Sequence, residues 1–142
     1  IIAKKKIIIR SPYSIRPWQH ILDPLSGYLI LAEKLFKEGI GFSTAYNFGP
    51  ESSQSNKNVL DLVKKTNAYW KISCEILETE KIFPEAKFLA LDISKSKKVL
   101  NWEPKWDFDE TLKRTIDWYK KYYSNNNYSY KYCMTDLENY LK

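Results

Sequence analysis

Short apolar runs alternate with amphipathic segments along most of the chain. The three consecutive isoleucines Ile7–Ile9 are a β-branched run that predicts a buried strand of a layered α/β sheet, apolar on both faces. Residues 11–20 contain two prolines and predict an extended loop. Asp23 is predicted to cap a helix over residues 24–38, with a proline at the first helical position and Gly39 just past the end.

The same patterns predict further elements toward the C-terminus. Strands are predicted at residues 43–48, 70–76 and 87–91. Helices are predicted from Val59, from Ser94 to Asn101, from Asp107 and from Thr135, the last two with a glutamate three residues after the cap. Because strands alternate with helices, the pattern favours an α/β protein.

The helix over residues 24–38 is apolar on more than one side. Its main stripe consists of Leu25, Tyr28, Leu29, Ala32, Leu35 and Phe36. Ile30 and Leu31 lie off that stripe. The few apolar strands of this chain cannot make a complete doubly wound sheet. We therefore predict that this helix packs on a sheet that these residues do not contain.

Composition narrows the class of protein. Apolar residues make up 44% and charged residues 28% of 142 residues, which is typical of a folded globular chain. The net charge is +6, but the basic residues are mixed with acids, so we expect no nucleic-acid partner. No apolar run reaches the roughly 20 residues of a membrane span. Cys74 and Cys133 match no metal or redox spacing, and they are predicted to be reduced thiols of a cytoplasmic protein.

One motif carries a resemblance to a known family. Residues 16–20 read Arg-Pro-Trp-Gln-His and are followed by a helix that begins Ile-Leu-Asp-Pro-Leu-Ser-Gly-Tyr. Further matching segments lie at residues 46–50, 85–86, 91–95, 100–104 and 115–119. Together these segments resemble the CDP-glucose 4,6-dehydratases of the extended short-chain dehydrogenase/reductase group, along nearly the whole chain.

The resemblance implies a fold and an activity. The chain would be the C-terminal substrate-binding part of such an enzyme, with the last Rossmann strand and helix present and the N-terminal NAD-binding half missing. Residues 1–50 would complete the Rossmann domain and carry the substrate loop, and residues 51–142 would form the substrate-binding cap domain. The first residue is Ile, so we expect a piece of a longer gene. Enzymes of this family are homo-oligomers that use NAD to convert CDP-glucose to CDP-4-dehydro-6-deoxyglucose, in deoxysugar and lipopolysaccharide O-antigen biosynthesis.

Two patterns that this chemistry requires are absent from the chain. Its four glycines form no Gly-x-Gly-x-x-Gly turn between a strand and a helix, and none of its eleven tyrosines has a lysine four residues later. We therefore assign no catalytic, cofactor-binding or metal-binding residue, and we expect the chain to be inactive alone. Two hypotheses stay open. The chain is a dehydratase fragment, either decayed or completed by a separate N-terminal chain, or it is a non-catalytic module that binds a sugar nucleotide or a protein.

The resemblance implies five substrate-binding candidates. Arg16 is the first choice for the diphosphate of a CDP-sugar, since a guanidinium can pair with two oxygens at once. The alternative is a surface ion pair. Gln19 and His20 would contact the nucleotide or the loop backbone, and a packed, satisfied ring is an equal alternative for His20. Glu85 and Lys87 would lie where the family closes its site over the diphosphate and sugar. Trp18 is predicted to be a core residue.

Overall fold

A computed structural model describes residues 7–54, 56–70, 74–76 and 86–142 of the chain. Within these ranges the chain is mainly helical. The helices are α1 (Leu22–Glu38), α2 (Val59–Trp70), α3 (Ser94–Leu100), α4 (Phe108–Ser124) and α5 (Ser129–Leu141). The strands are β1 (Ile7–Ile9) and β2 (Cys74–Ile76). None of the helices in these ranges has the length and apolar character needed to cross a membrane.

The two strands pair in parallel, with Ile8 opposite Glu75. The strand predicted at Ile7–Ile9 is confirmed, but its predicted burial on both faces is wrong. Ile9 is 4% exposed and Ile8 is 58% exposed. In the described part of the chain this sheet has only two strands.

The other strand predictions need correction. Residues 43–48 form no strand. Side chains bind their carbonyl oxygens instead: Lys95 donates to Ala45 O at 2.9 Å and Gln19 donates to Phe48 O at 2.8 Å. A segment with the composition of a strand forms one only when a neighbouring strand provides hydrogen-bond partners for its backbone N–H and C=O groups. Here side chains provide partners for the carbonyl groups instead. Residues 87–91 make a single bridge, through Phe88. Of residues 70–76, Trp70 ends α2 and Cys74–Ile76 form β2, while residues 71–73 lie outside the described residues.

Three predicted caps are wrong. Helix α1 begins at Leu22, so Asp23 lies inside its first turn and caps nothing with its side chain. Ser94 is the first residue of α3, and the side chain of Asp92 accepts from its amide at 2.9 Å. Thr135 lies in the middle of α5 and donates to Lys131 O at 2.9 Å. In each case a polar residue suited to a cap found another partner in the folded chain.

Predictions that depend on local backbone geometry are confirmed. Gly39 ends α1 with φ of 85°, and Asn101 ends α3 in the left-handed conformation with φ of 53°. The side chain of Asp107 accepts from the amide of Glu110 at 2.8 Å, as predicted for the start of α4.

Two apolar clusters hold the helices together. One contains Phe48, Ile93, Leu100 and Trp102, with Ile30 and Leu31 of α1 packed against it. The other contains Phe108, Leu112 and Ile116, with Trp18, Leu62 and Trp70 packed against it. Trp102 is 1% exposed and belongs to the first cluster, and Trp18, which was predicted to be a core residue, is half-buried and packs against the second. The division of the chain at residue 50 stays a prediction.

Helix α1 packs against this core with the side of Ile30 and Leu31, which lie off the main apolar stripe predicted from the sequence. Ile30 and Leu31 pack inward, whereas Leu29 and Phe36 of the main stripe are 72% and 91% exposed. An exposed apolar stripe of this kind is typical of a surface that contacts another protein segment.

Candidate functional site

The loop at residues 11–21, here called the Arg16 loop, joins β1 to α1 and is fixed by backbone hydrogen bonds on two sides. Ile15 N donates to Lys87 O at 2.9 Å, and Leu89 N donates to Ile15 O at 3.2 Å. On the other side Val59 N donates to Ser14 O at 3.1 Å. The loop is extended because of its prolines, and it is held in place by these two neighbouring segments.

Arg16 lies where the three segments meet. Its amide donates to Lys57 O at 3.4 Å, and its Nη1 donates to Ile15 O at 2.7 Å and to Ala86 O at 2.9 Å. Both Nη1 contacts are to backbone carbonyl oxygens. The backbone therefore brings Arg16 next to the segments that carry Lys57 and Lys87. Basic residues on three adjacent segments favour an anion, and a guanidinium suits one that offers paired oxygens.

Of the two other candidates predicted for this region, the structure describes Lys87 and not Glu85. Lys87 is exposed, and its carbonyl is one of the anchors of the Arg16 loop. Glu85 lies outside the described residues. Lys57 was missed by the sequence analysis, because only the backbone contact with Arg16 distinguishes it from the many other lysines of the chain.

Gln19 and His20 face away from this basic region. Gln19 Nε2 donates to Phe48 O at 2.8 Å, while its Oε1 is buried without a partner among the described residues. His20 is 7% exposed, and its Nδ1 accepts from Leu22 N at 3.3 Å. Its ring lies edge to face against Trp106, with the centroids 4.6 Å apart. This is the environment that the packed-ring alternative predicts, and the ligand role of both residues stays a prediction.

Burial is the largest influence on the pKa of His20. Burial lowers the pKa of the imidazole below its usual 6.5, Arg114 lowers it further, and the carboxylates of Asp136, Asp23 and Glu110 oppose the shift. Because burial is the largest of these effects, the ring is neutral at pH 7.

Gln19 and His20 line a cavity of about 500 Å³ between the start of α1 and helices α4 and α5, here called the α4–α5 cavity. The other lining residues are Ile21, Leu22, Thr115, Trp118, Tyr119, Cys133 and Asp136. Cys133 is an exposed free thiol. Neither Arg16 nor Lys87 lines this cavity. The predicted site residues therefore form two groups: Arg16 and Lys87 lie in the basic region, and Gln19 and His20 line a largely apolar cavity.

Asp23 is the buried polar residue whose tertiary role the sequence analysis missed. It is 0% exposed, and its Oδ1 accepts from Lys105 N and from Tyr140 OH, both at 2.8 Å. Its Oδ2 has no partner in the part of the chain that the structure describes. Ser26 Oγ donates to Asp23 O at 2.7 Å and accepts from the indole of Trp102 at 2.9 Å.

This network holds α5 against the start of α1. Burial raises the pKa of the Tyr140 phenol from 10.0 to about 12, so the hydroxyl stays protonated and can donate to Asp23. The network lies one turn from Gln19 and His20 and so fixes the end of the Arg16 loop. No signal in the sequence separates a capping aspartate from one that turns inward.

Comparison with known proteins agrees with the resemblance seen in the sequence. No protein-family model matches the chain. Over 117 residues, 82% of the chain, it is 44% identical to a CDP-glucose 4,6-dehydratase of Salmonella typhimurium, and it spans 32% of that protein. Over 37 residues, 26% of the chain, it is 51% identical to a UDP-glucuronate 4-epimerase of Thermodesulfobacterium geofontis, covering 12% of that protein.

A solved structure shows the same fold in part. The chain superposes on a dTDP-glucose 4,6-dehydratase of Bacillus anthracis, solved in complex with NAD, with a TM-score of 0.66 and 22% identity. The match covers 92% of this chain and 38% of that one. The resemblance to CDP-glucose 4,6-dehydratases is thus confirmed, for a chain that spans about a third of the curated dehydratase it matches.

Two of the four glycines of the chain, Gly39 and Gly41, lie close together at the end of α1. Gly39 follows the C-terminal end of α1, and Gly41 is the middle residue of the single 3-10 turn Ile40–Phe42. A dinucleotide pyrophosphate requires the reverse order, in which a glycine turn opens the N-terminus of a helix. The described residues also contain no group of three or more acidic, histidine or cysteine side chains that could hold a metal ion.

Proposed function

We propose that this chain is the substrate-binding part of a CDP-glucose 4,6-dehydratase and that its Arg16 loop holds the diphosphate of the CDP-sugar. The 44% identity to a CDP-glucose 4,6-dehydratase over 117 residues carries the proposal. The convergence of Arg16 with the segments of Lys57 and Lys87 supports it, since a diphosphate needs several basic groups on one surface.

The oxidation and dehydration of the sugar require groups that this chain does not supply. NAD would accept and return a hydride in the complete enzyme, and the glycine pattern of this chain cannot bind it. In our proposal the chain orients the nucleotide and is inactive alone, and a nucleotide-binding part outside these residues provides the cofactor and the proton-transfer groups. That part would also cover the exposed stripe of α1.

A non-catalytic binding module is the second candidate, and one observation favours it. Leu29 and Phe36 form an exposed apolar stripe that can bind a protein without any chemistry. The two candidates differ in what a partner adds. A dehydratase part gains turnover of CDP-glucose when a cofactor-binding part is present, and a binding module gains none.

Calorimetric titration with CDP-glucose tests the Arg16 loop directly. We expect Arg16→Lys to weaken binding about tenfold or more, because lysine cannot make paired hydrogen bonds and those to charged groups contribute about 1.5–3 kcal/mol. Arg10→Lys, an exchange at an exposed arginine just before the loop, serves as the matched control and should leave the affinity unchanged. Equal affinities of the Arg16 and Arg10 variants would reject the assigned role.

Complementation tests the dehydratase assignment. The chain is mixed with the remaining N-terminal part of the Salmonella dehydratase and NAD, and formation of the dehydrated sugar nucleotide is followed. Turnover in the mixture and in neither component alone would support the proposal. Binding of CDP-glucose without turnover in the mixture would favour the binding module.

A further inference from the structure

The α4–α5 cavity contains a hydrogen-bond donor that the described part of the chain does not use. His20 is 7% exposed and lines the cavity. Its Nδ1 accepts from Leu22 N at 3.3 Å, so the proton of the neutral ring is on Nε2. Among the described residues Nε2 has no hydrogen-bond partner. Burial lowers the pKa of the ring, which keeps Nε2 a neutral donor at pH 7.

The rest of the lining is largely apolar, and its polar residues Gln19, Thr115 and Cys133 are uncharged. Ile21, Leu22, Trp118 and Tyr119 provide aliphatic and aromatic walls. The carboxylate of Asp136, the only formally charged side chain of the lining, accepts from Arg114 at 3.2 Å. A volume of about 500 Å³ lies within the range of small-molecule sites, about 300–1,000 Å³.

We propose that the α4–α5 cavity binds a small, uncharged aromatic molecule with one hydrogen-bond acceptor, which contacts Nε2 of His20. A charged ligand is disfavoured, because it would lose its hydration without meeting an uncompensated counter-charge. An acceptor on the ligand satisfies the unused donor, and the aromatic part packs against Trp118 and Tyr119. The cavity is not lined by Arg16, Lys57 or Lys87, so the proposal is independent of the role proposed for Arg16.

Acetophenone is a suitable probe, with ethylbenzene as the analogue that lacks the carbonyl oxygen. His20 is the one histidine of the chain, so its ring signals in a proton NMR titration report on this site without further labelling. We expect saturable shifts with acetophenone and about threefold to tenfold weaker binding of ethylbenzene, the difference that one neutral hydrogen bond makes.

Two variants test the location. Cys133→Trp places a large side chain in the cavity from its exposed edge and should abolish the shifts. Tyr130→Trp, on the same helix at a position that is 77% exposed and does not line the cavity, is the matched control. Circular dichroism checks that both variants fold. Ile21→Ala removes part of the wall at a residue that is 64% exposed, and it should weaken binding severalfold without disturbing the core.

Four results would overturn the proposal. They are the absence of saturable shifts at His20, equal affinity for acetophenone and ethylbenzene, unchanged binding in both Cys133→Trp and Ile21→Ala, and shifts that depend on protein concentration. The last result would mean that a second copy of the chain occupies the cavity.

Discussion

Substitution of Gly27 by alanine sets two opposing effects against each other. Gly27 is a buried residue of α1, and in an open helix the exchange would stabilise the chain by up to about 1 kcal/mol. At this position, however, an added Cβ would lie 2.3 and 2.4 Å from two carbons of the Phe48 ring. Real contacts of this kind are essentially never shorter than 3.0 Å, so the ring or the helix must move.

The surroundings of Phe48 decide which effect is larger. Its ring is 8% exposed and lies edge to face with Trp102 at 4.9 Å and with Tyr28 at 5.4 Å between centroids. Overpacking of a dense core costs about 1–3 kcal/mol, and this site is at the upper end because the ring is enclosed. We therefore expect Gly27→Ala to lower the free energy of unfolding by about 1–2 kcal/mol.

Urea denaturation followed by tryptophan fluorescence measures this difference. The midpoint should fall while the slope of free energy against urea stays the same, because the surface exposed on unfolding changes little. Gly41→Ala is the matched control. An added Cβ there meets nothing within 4 Å, and we expect a change within about 0.5 kcal/mol. A Gly27→Ala chain as stable as the wild type would refute the reasoning, since it would show that Phe48 moves aside at no cost.

Two further predictions concern buried titratable groups. Tyr140→Phe should lower the free energy of unfolding by about 2 kcal/mol, because it removes a buried hydrogen bond to the Asp23 carboxylate, whereas the exposed Tyr130→Phe on the same helix should have almost no effect. Since burial raises the pKa of Tyr140 from 10.0 to about 12, the unfolded chain releases this proton first, and stability should fall between pH 10 and 12 in the wild type more steeply than in Tyr140→Phe. Burial lowers the pKa of His20 below 6.5, so the unfolded chain takes up a proton first as the pH falls, and stability should drop below pH 6.5. In His20→Asn the amide oxygen can replace Nδ1 as the acceptor, and the loss of stability caused by protonation of His20 should be missing. If the urea midpoints of both chains depend on pH in the same way, protonation of His20 does not cause the loss of stability below pH 6.5.

Several helix ends could be predicted from the sequence because they depend on local interactions. The end of α1 at Gly39 and of α3 at Asn101, and the start of α4 at Asp107, depend on backbone conformations or contacts within three residues. The Arg-Pro-Trp-Gln-His motif likewise identified the family that the comparisons support. It also led to Arg16, whose neighbours the fold then supplied.

The tertiary structure alone decided the rest, because those outcomes depend on contacts between distant segments. Asp23 has the residue type and position of a cap, but Tyr140, 117 residues further along the chain, draws its carboxylate inward. The main apolar stripe of α1 has the helical period, yet the core lies on the side of Ile30 and Leu31. Residues 43–48 have the composition of a strand without a strand beside them. Periodicity and propensity describe what a segment can do, and the partner that folding brings to it selects among these possibilities.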